Sequence, residues 1–238
     1  MSAFDQQPWT CRCEWGLGGV GALAPADVVI VVDVLSFTTC VDVAVSRGVA
    51  ILPYRWNDGS ATEFARAQHA ELAGKRRKAK YSLAPDSFLE APAGLRCVLP
   101  SPNGATVTLA AAGTAPVVLA GCLRNARAVA QAAARAGTTF NVIPAGERWP
   151  DGSLRPALED ALGAGAILSS LPGSRSPEAQ AAVALFAHHR DSLVETLDAC
   201  ASGRELAGRG HLRDREIAAA LDVSTAVPRF DGTCYQGS

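Results

Sequence analysis

Four short polar turns hold the residues best suited to chemistry, and each directly follows an apolar run. Asp33 follows Val28-Val29-Ile30-Val31-Val32, and Ser101-Pro102-Asn103-Gly104 follows residues 95–100. Gly121-Cys122-Leu123-Arg124-Asn125 follows residues 117–120, and Ala145-Gly146-Glu147-Arg148 follows residues 141–144. The guanidinium is a fixed fork of donors that fits phosphate or sulfonate oxygens, so Arg124 and Arg148 read as anion-binding groups. Ser101, Asn103 and Asn125 add hydrogen-bonding groups, and backbone N–H groups opening helices after Gly104 and Asn125 strengthen the attraction. Asp33, Glu147, Glu159 and Asp160 come from three separated segments and are hard oxygen ligands. Beside a phosphate-binding pocket such ligands suit Mg²⁺. Glu159 and Asp160 are adjacent and point about 100° apart on a helix, so one is expected at the metal. The other is left to cap, to pair with an arginine or to position a water. Taken alone, Asp33 reads equally as the cap of a helix beginning near Leu35, and Asn103-Gly104 as an ordinary turn.

The elements that must position these turns alternate along the chain. The β-branched run at 28–32 predicts a strand buried on both faces. A helix is expected through Val45, stopped by Gly48, then a strand at 49–52. Asp58 is expected to cap a helix carrying Phe64 and Leu72. Strands follow at 95–99, 116–120 and 139–143, with helices at 105–112 and 126–136. Beyond Pro156 the pattern is helical, broken near Pro172-Gly173, Gly203 and Gly208 to Gly210. Strands alternating with helices predict one α/β domain over residues 1–238, a three-layer α/β/α sandwich around a mostly parallel sheet with a helical C-terminal third. In such sheets ligands bind beyond the carboxyl ends of strands, where all four turns lie.

Composition narrows the classes. Basic and acidic residues number 22 and 23, a balance that argues against an electrostatic nucleic-acid binder. No apolar run is long enough to span a bilayer, and no basic segment followed by an apolar stretch marks a secretory signal. Seven scattered cysteines match neither a disulfide scaffold nor a zinc site, which predicts a reduced, cytoplasmic protein. The run Lys75-Arg76-Arg77-Lys78-Ala79-Lys80 holds every lysine and reads as a solvated loop, or as an arm that draws in an anionic substrate. Gly16-Leu17-Gly18-Gly19-Val20-Gly21 spells a dinucleotide fingerprint. It precedes Ala24-Pro25-Ala26 and a strand, however, so it is read as a glycine-rich loop. His69, His188 and His189 fall in helical patterns and read as surface residues.

Taken together, the turns resemble the 2-phosphosulfolactate phosphatase family over about residues 27–228. The resemblance is carried by Val31-Val32-Asp33-Val34-Leu35, Ser101-Pro102-Asn103-Gly104, Gly121-Cys122-Leu123-Arg124-Asn125, Pro144-Ala145-Gly146-Glu147-Arg148 and Pro156-Ala157-Leu158-Glu159-Asp160. Leu162-Gly163-Ala164-Gly165-Ala166-Ile167 and Ala201-Ser202-Gly203-Arg204-Glu205-Leu206 extend it. It implies an α/β/α sandwich and Mg²⁺-dependent hydrolysis of 2-phosphosulfolactate to sulfolactate and phosphate, a step toward coenzyme M. Many members carry an arginine after the Asp-Val-Leu segment, where this chain has Ser36. On this reading Asp33 and Glu147, with Glu159 or Asp160, hold Mg²⁺ directly or through water. Asp33, Glu147 and Asp160 are the catalytic set. Ser101, Asn103, Gly104, Arg124, Asn125 and Arg148 receive a small anionic phosphoester, with no nucleic acid or membrane partner. The helical C-terminal third suits a homo-oligomer. Two rivals stand beside it: a cysteine hydrolase of the isochorismatase type using Cys122, and a non-catalytic anion-binding domain.

Overall fold

The computed structural model describes residues 2–237 except 57 and 77. The chain opens with β1 (Cys11–Cys13) and α1 (Gly16–Ala22), then β2 (Val28–Val32), α2 (Phe37–Ser46), β3 (Ala50–Tyr54), α3 (Gly59–Ala67) and β4 (Glu71–Leu72). It continues through β5 (Arg96–Pro100), α4 (Gly104–Ala111), β6 (Val117–Gly121), α5 (Ala126–Ala136) and β7 (Phe140–Pro144). A small hairpin, β8 (Glu147–Arg148) and β9 (Leu154–Arg155), precedes α6 (Leu158–Ser170), α7 (Pro177–His189) and α8 (Leu193–Ala199). After α9 (Ala201–Gly208) and α10 (Leu212–Ala219), the chain ends in β10 (Pro228–Phe230) and β11 (Tyr235–Gly237).

The alternation inside β2 explains the layers. All five of its residues are buried, with β6 and β7 paired in parallel on its two sides. Val28, Ile30 and Val32 pack with Val129 and Ala133 of α5 and Leu162 of α6. Val29 and Val31 face the opposite way and pack with Val41 of α2 and Val107 of α4. A strand with period-two side chains that are apolar on both faces needs helices on both faces, and it has them.

Among the described residues one sheet runs in the order β1-β7-β2-β6-β10-β11-β3-β5-β4. Five of its eight pairings are parallel, so the sheet is mostly parallel as expected. The antiparallel steps from β6 through β10 and β11 to β3 reverse the direction, so β3, β5 and β4 run against β1, β7, β2 and β6. Five steps separate β2 from β5, and roughly 20–25° of twist at each brings the two blocks nearer to crossing than to opposing. The loop after β5 thereby meets the loop after β2.

Several expectations need correction. The glycine-rich segment 16–21 is helical and follows a strand; it lies close to its neighbours because a Cβ on Gly19 would come within 2.7 Å of the Glu14 backbone. The helix capped by Asp58, whose side chain accepts from Ser60 N–H, ends at Ala67, and Leu72 belongs to β4. The C-terminal third is helical only to Ala219. Its last strands enter the middle of the sheet, where Tyr235 is fully buried and shares a 2.9 Å hydrogen bond with Thr108. Among the described residues no helix is long and apolar enough to cross a membrane.

Candidate active site

Asp33 leaves the carboxyl end of β2 and is held from both sides. Phe37 N–H, opening α2, donates to Oδ1 at 3.0 Å, and Gly104 N–H, opening α4, donates to Oδ2 at 2.8 Å. Of the two readings of Asp33, cap or metal ligand, the structure shows the cap, at two helix N-termini at once. Thr38 fixes the turn by accepting from Asp33 N–H and donating to Asp33 O. Gly104 must lack a side chain, because a Cβ there would lie 2.6 Å from Asp33 Oδ2 and 2.5 Å from the Phe37 ring. Burial raises the Asp33 carboxyl to about 6. The two N–H donors oppose that rise, the Glu159 charge adds to it, and the Arg76 charge works against it.

Glu147 begins the small hairpin after β7. Its Oε2 accepts from Asn103 Nδ2 at 2.8 Å, joining the β5 and β7 turns. Burial, then the charges of Asp33 and Glu159, push Glu147 up to about 7. Asp160, in the first turn of α6, accepts from Val34 N–H at 2.7 Å and from Gly146 N–H at 2.9 Å, one on each carboxylate oxygen. It therefore fastens the β2 turn to the β7 turn. Burial, reinforced by Asp33 and Glu159, holds its carboxyl well above the usual range. Glu159 is equally buried but faces α9, with Cys200 Sγ 3.5 Å from Oε2. The expected divergence of these neighbours is real, and Asp160 is the one spent on backbone.

A cleft of about 250 Å³ opens over this cluster, lined by Asp33, Ser36, Arg76, Ser101, Asn103 and Glu147 among others. Larger hollows of about 520 and 600 Å³ lie beside the β10–β11 hairpin and beside α3 and β4. Neither is lined by any predicted site residue, so size does not identify the site here. Among the described residues, no three His, Cys, Asp or Glu side chains are already arranged to hold a metal ion. The donor set nonetheless fits Mg²⁺, which takes one or two carboxylates and completes its shell with water and substrate oxygens. Two carboxylates whose proton affinity is raised by burial and by Glu159, with Asp33 adding to the rise at Glu147, mark a place short of positive charge.

Other predicted residues sit elsewhere. Arg124 does not line the cleft: its Nε donates to Asp42 of α2 at 2.8 Å and its Nη1 to Ile217 O. Asn125 is fully buried; it accepts from Cys122 N–H and donates to Ala120 O and Ala226 O, a structural turn. Arg148 is exposed, reaches Pro102 O and Gly152 O, and lines a neighbouring hollow that also borders Asn103 and Glu147. Cys122 is fully buried, and burial pushes its thiol up to about 12, which disfavours the reactive thiolate. The basic run, read as a solvated loop or an anion-drawing arm, sends one residue into the cleft lining, Arg76. Arg76 Nη2 donates to Ser36 Oγ at 2.8 Å and to Leu83 O, and its Nε lies 3.2 Å from Asp214. Lys75, Lys78 and Lys80 are exposed as a solvated loop predicts, and Arg77 lies outside the described residues. The Leu35–Ser36 peptide beside Arg76 is cis.

Comparison with known proteins adds an independent finding. Residues 21–233 match a family described as 2-phosphosulpholactate phosphatase. A probable 2-phosphosulfolactate phosphatase of Gloeobacter violaceus is 34% identical over 214 residues, covering 85% of this chain and 88% of that protein. A 2-phosphosulfolactate phosphatase of Methanothermobacter thermautotrophicus is 27% identical over 203 residues, covering 84% and 85%.

Proposed function

This chain belongs to the 2-phosphosulfolactate phosphatase family, and on that premise we propose that the Asp33–Glu147 cleft hydrolyses 2-phosphosulfolactate to sulfolactate and phosphate with Mg²⁺. The observation that carries the proposal is the buried carboxylate cluster, fixed by backbone N–H groups at strand ends and open to a small cleft. A site built only to bind anions has no use for clustered negative charge. Asp33 and Glu147 are the residues to hold Mg²⁺, directly or through water, with Glu159 behind them. Bound there, Mg²⁺ supplies orientation of the phosphoryl oxygens and offsets charge on the leaving oxygen.

The chain's own groups do the rest. Asp160 keeps the β2 and β7 turns in register, which sets the spacing between Asp33 and Glu147. Asn103 holds Glu147 through Oε2 and leaves Oε1 to face metal, water or a proton. Where Glu147 reaches the metal through water, its Oε1 is placed to take up the proton from the attacking water. Ser101 and Asn103 line the wall for substrate oxygens. A cytoplasmic setting is part of the same proposal; the scattered cysteines behind it are buried thiols.

The test is a phosphate-release assay on 2-phosphosulfolactate and carboxylated phosphoesters, after chelation and after Mg²⁺ is restored. Release that appears only with Mg²⁺ is expected. Release untouched by chelation would remove the metal, and none from any ester would remove the phosphatase reading.

A further inference from the structure

We infer that Arg76 binds one of the substrate's two acid groups other than the phosphoryl, its sulfonate or its carboxylate, and that Ser36 and Asp214 position it. The inference rests on the phosphatase reading and adds a specificity residue to it. Two hydrogen-bonded groups line the cleft: Asn103 with Glu147, and Arg76 with Ser36 and Leu83. At Asp33 and Glu147 an anion approaches only with a cation to offset the carboxylates. At Arg76 the lining itself supplies the positive charge. An ester that carries further acid groups besides its phosphoryl fits this lining with the phosphoryl at the carboxylates and one of those acid groups at the guanidinium.

Arg148 is exposed and borders a neighbouring hollow, and three other arginines are committed elsewhere. Arg124 is buried against Asp42, away from the cleft. Arg155 donates to Ser202 and lies over the Trp149 ring. Arg209 lines the cleft, but it pairs with Glu205 at 2.6 Å and its side chain is 64% exposed. The Arg76 side chain is only 19% exposed, although it comes from an otherwise solvated loop. Its hold is assembled from Leu83, seven residues on, and from two distant segments: Ser36 at the start of α2 and Asp214 of α10. Ser36 Oγ and Leu83 O are neutral acceptors that orient Nη2, and Asp214 faces Nε. A guanidinium has five N–H donors in a rigid fork, so this hold is compatible with binding a further anion. Holding the fork in place beforehand reduces the ordering cost when the anion binds.

The experiment compares wild type, Arg76→Met, Arg76→Lys and Ser36→Ala, each as the full chain with Mg²⁺. Two quantities are read: KM for 2-phosphosulfolactate, and the inhibition constant of inorganic phosphate, which occupies only the phosphoryl end. Arg76→Met is expected to raise KM about 10- to 100-fold, the usual range for losing a charged hydrogen-bond pair. The phosphate inhibition constant and kcat should stay within about twofold. Arg76→Lys should recover part of the loss as a point charge, and Ser36→Ala should raise KM by a smaller factor with the same selectivity. An inhibition constant that climbs in step with KM, in any of the three variants that folds by circular dichroism, overturns the inference. So does an unchanged KM in Arg76→Met. Absence of turnover in wild type would instead fail the underlying phosphatase reading, and this inference with it.

Discussion

Replacing Glu147 with Gln should make the metal-free protein more stable at pH 8 while disabling it. Glu147 accepts one hydrogen bond, from Asn103, and a glutamine oxygen can accept the same bond, so the change removes charge with little loss of shape. Burial first, then Asp33 and Glu159, move the Glu147 carboxyl from an ordinary 4.5 to about 7. Above pH 7 the folded protein carries a carboxylate that the unfolded chain hydrates freely. That gap corresponds to at most ~3.4 kcal/mol of destabilisation. Glu147 is partly exposed, and solvent screening brings the figure to about 1–2 kcal/mol. The sign follows from linkage: the folded state binds the proton more tightly, so the penalty is full above 7 and fades as pH falls toward 4.5. For a chain of this length about 1–2 kcal/mol is roughly 2–8 °C in Tm. The assay is thermal unfolding in chelator at pH 8 and pH 5, wild type against variant. Equal or lower Tm for the variant at pH 8 would refute the reasoning. A gain of the same size at both pH values would show that the effect is not electrostatic.

Gly104→Ala should cost about 5- to 150-fold in kcat/KM, because the new Cβ falls on Asp33 Oδ2 and the Phe37 ring and a packed site yields only at a cost of about 1–3 kcal/mol; near-normal turnover would mean that this contact is loose. Arg124→Met should lower Tm by roughly 6–20 °C, since breaking a buried ion pair leaves Asp42 uncompensated at about 3–5 kcal/mol. A KM effect with unchanged Tm would instead return Arg124 to the substrate. Cys122→Ala should keep hydrolysis within about twofold of wild type, with a stability loss of about 1 kcal/mol; a large loss of turnover would revive the thiol.

What was legible in the sequence depended on how local its cause is. Asp33, Asn103-Gly104 and Glu147 were visible because each terminates an apolar strand, and strand ends are where open α/β sheets place their chemistry. Helix phase also separated Glu159 from Asp160, although which one the backbone claims is a tertiary fact, set by Val34 and Gly146. Arg124 and Asn125 look like anion-binding groups by position. Their true partners, Asp42, Ile217 and Ala226, lie more than eighty residues away in the chain. Arg76 has no local feature separating it from its basic neighbours. Only the approach of α2 and α10 draws it inward. Strands β10 and β11 were missed for a related reason. Three residues each carry too little periodicity to read, and their place in the sheet comes from pairing with β6 and β3.

The most direct test of the central claim is turnover of 2-phosphosulfolactate by Asp33→Asn with Mg²⁺, measured beside its circular dichroism. Asparagine presents an amide where a carboxylate oxygen now accepts from Phe37 or Gly104, and it removes the charge proposed to face the metal. A folded variant with kcat/KM reduced by about a thousandfold or more is the predicted result, the scale expected when a group acting in the transition state is lost. A folded variant that still releases phosphate at the wild-type rate would contradict the account, because the cleft over Asp33 would then not be where the ester is cleaved.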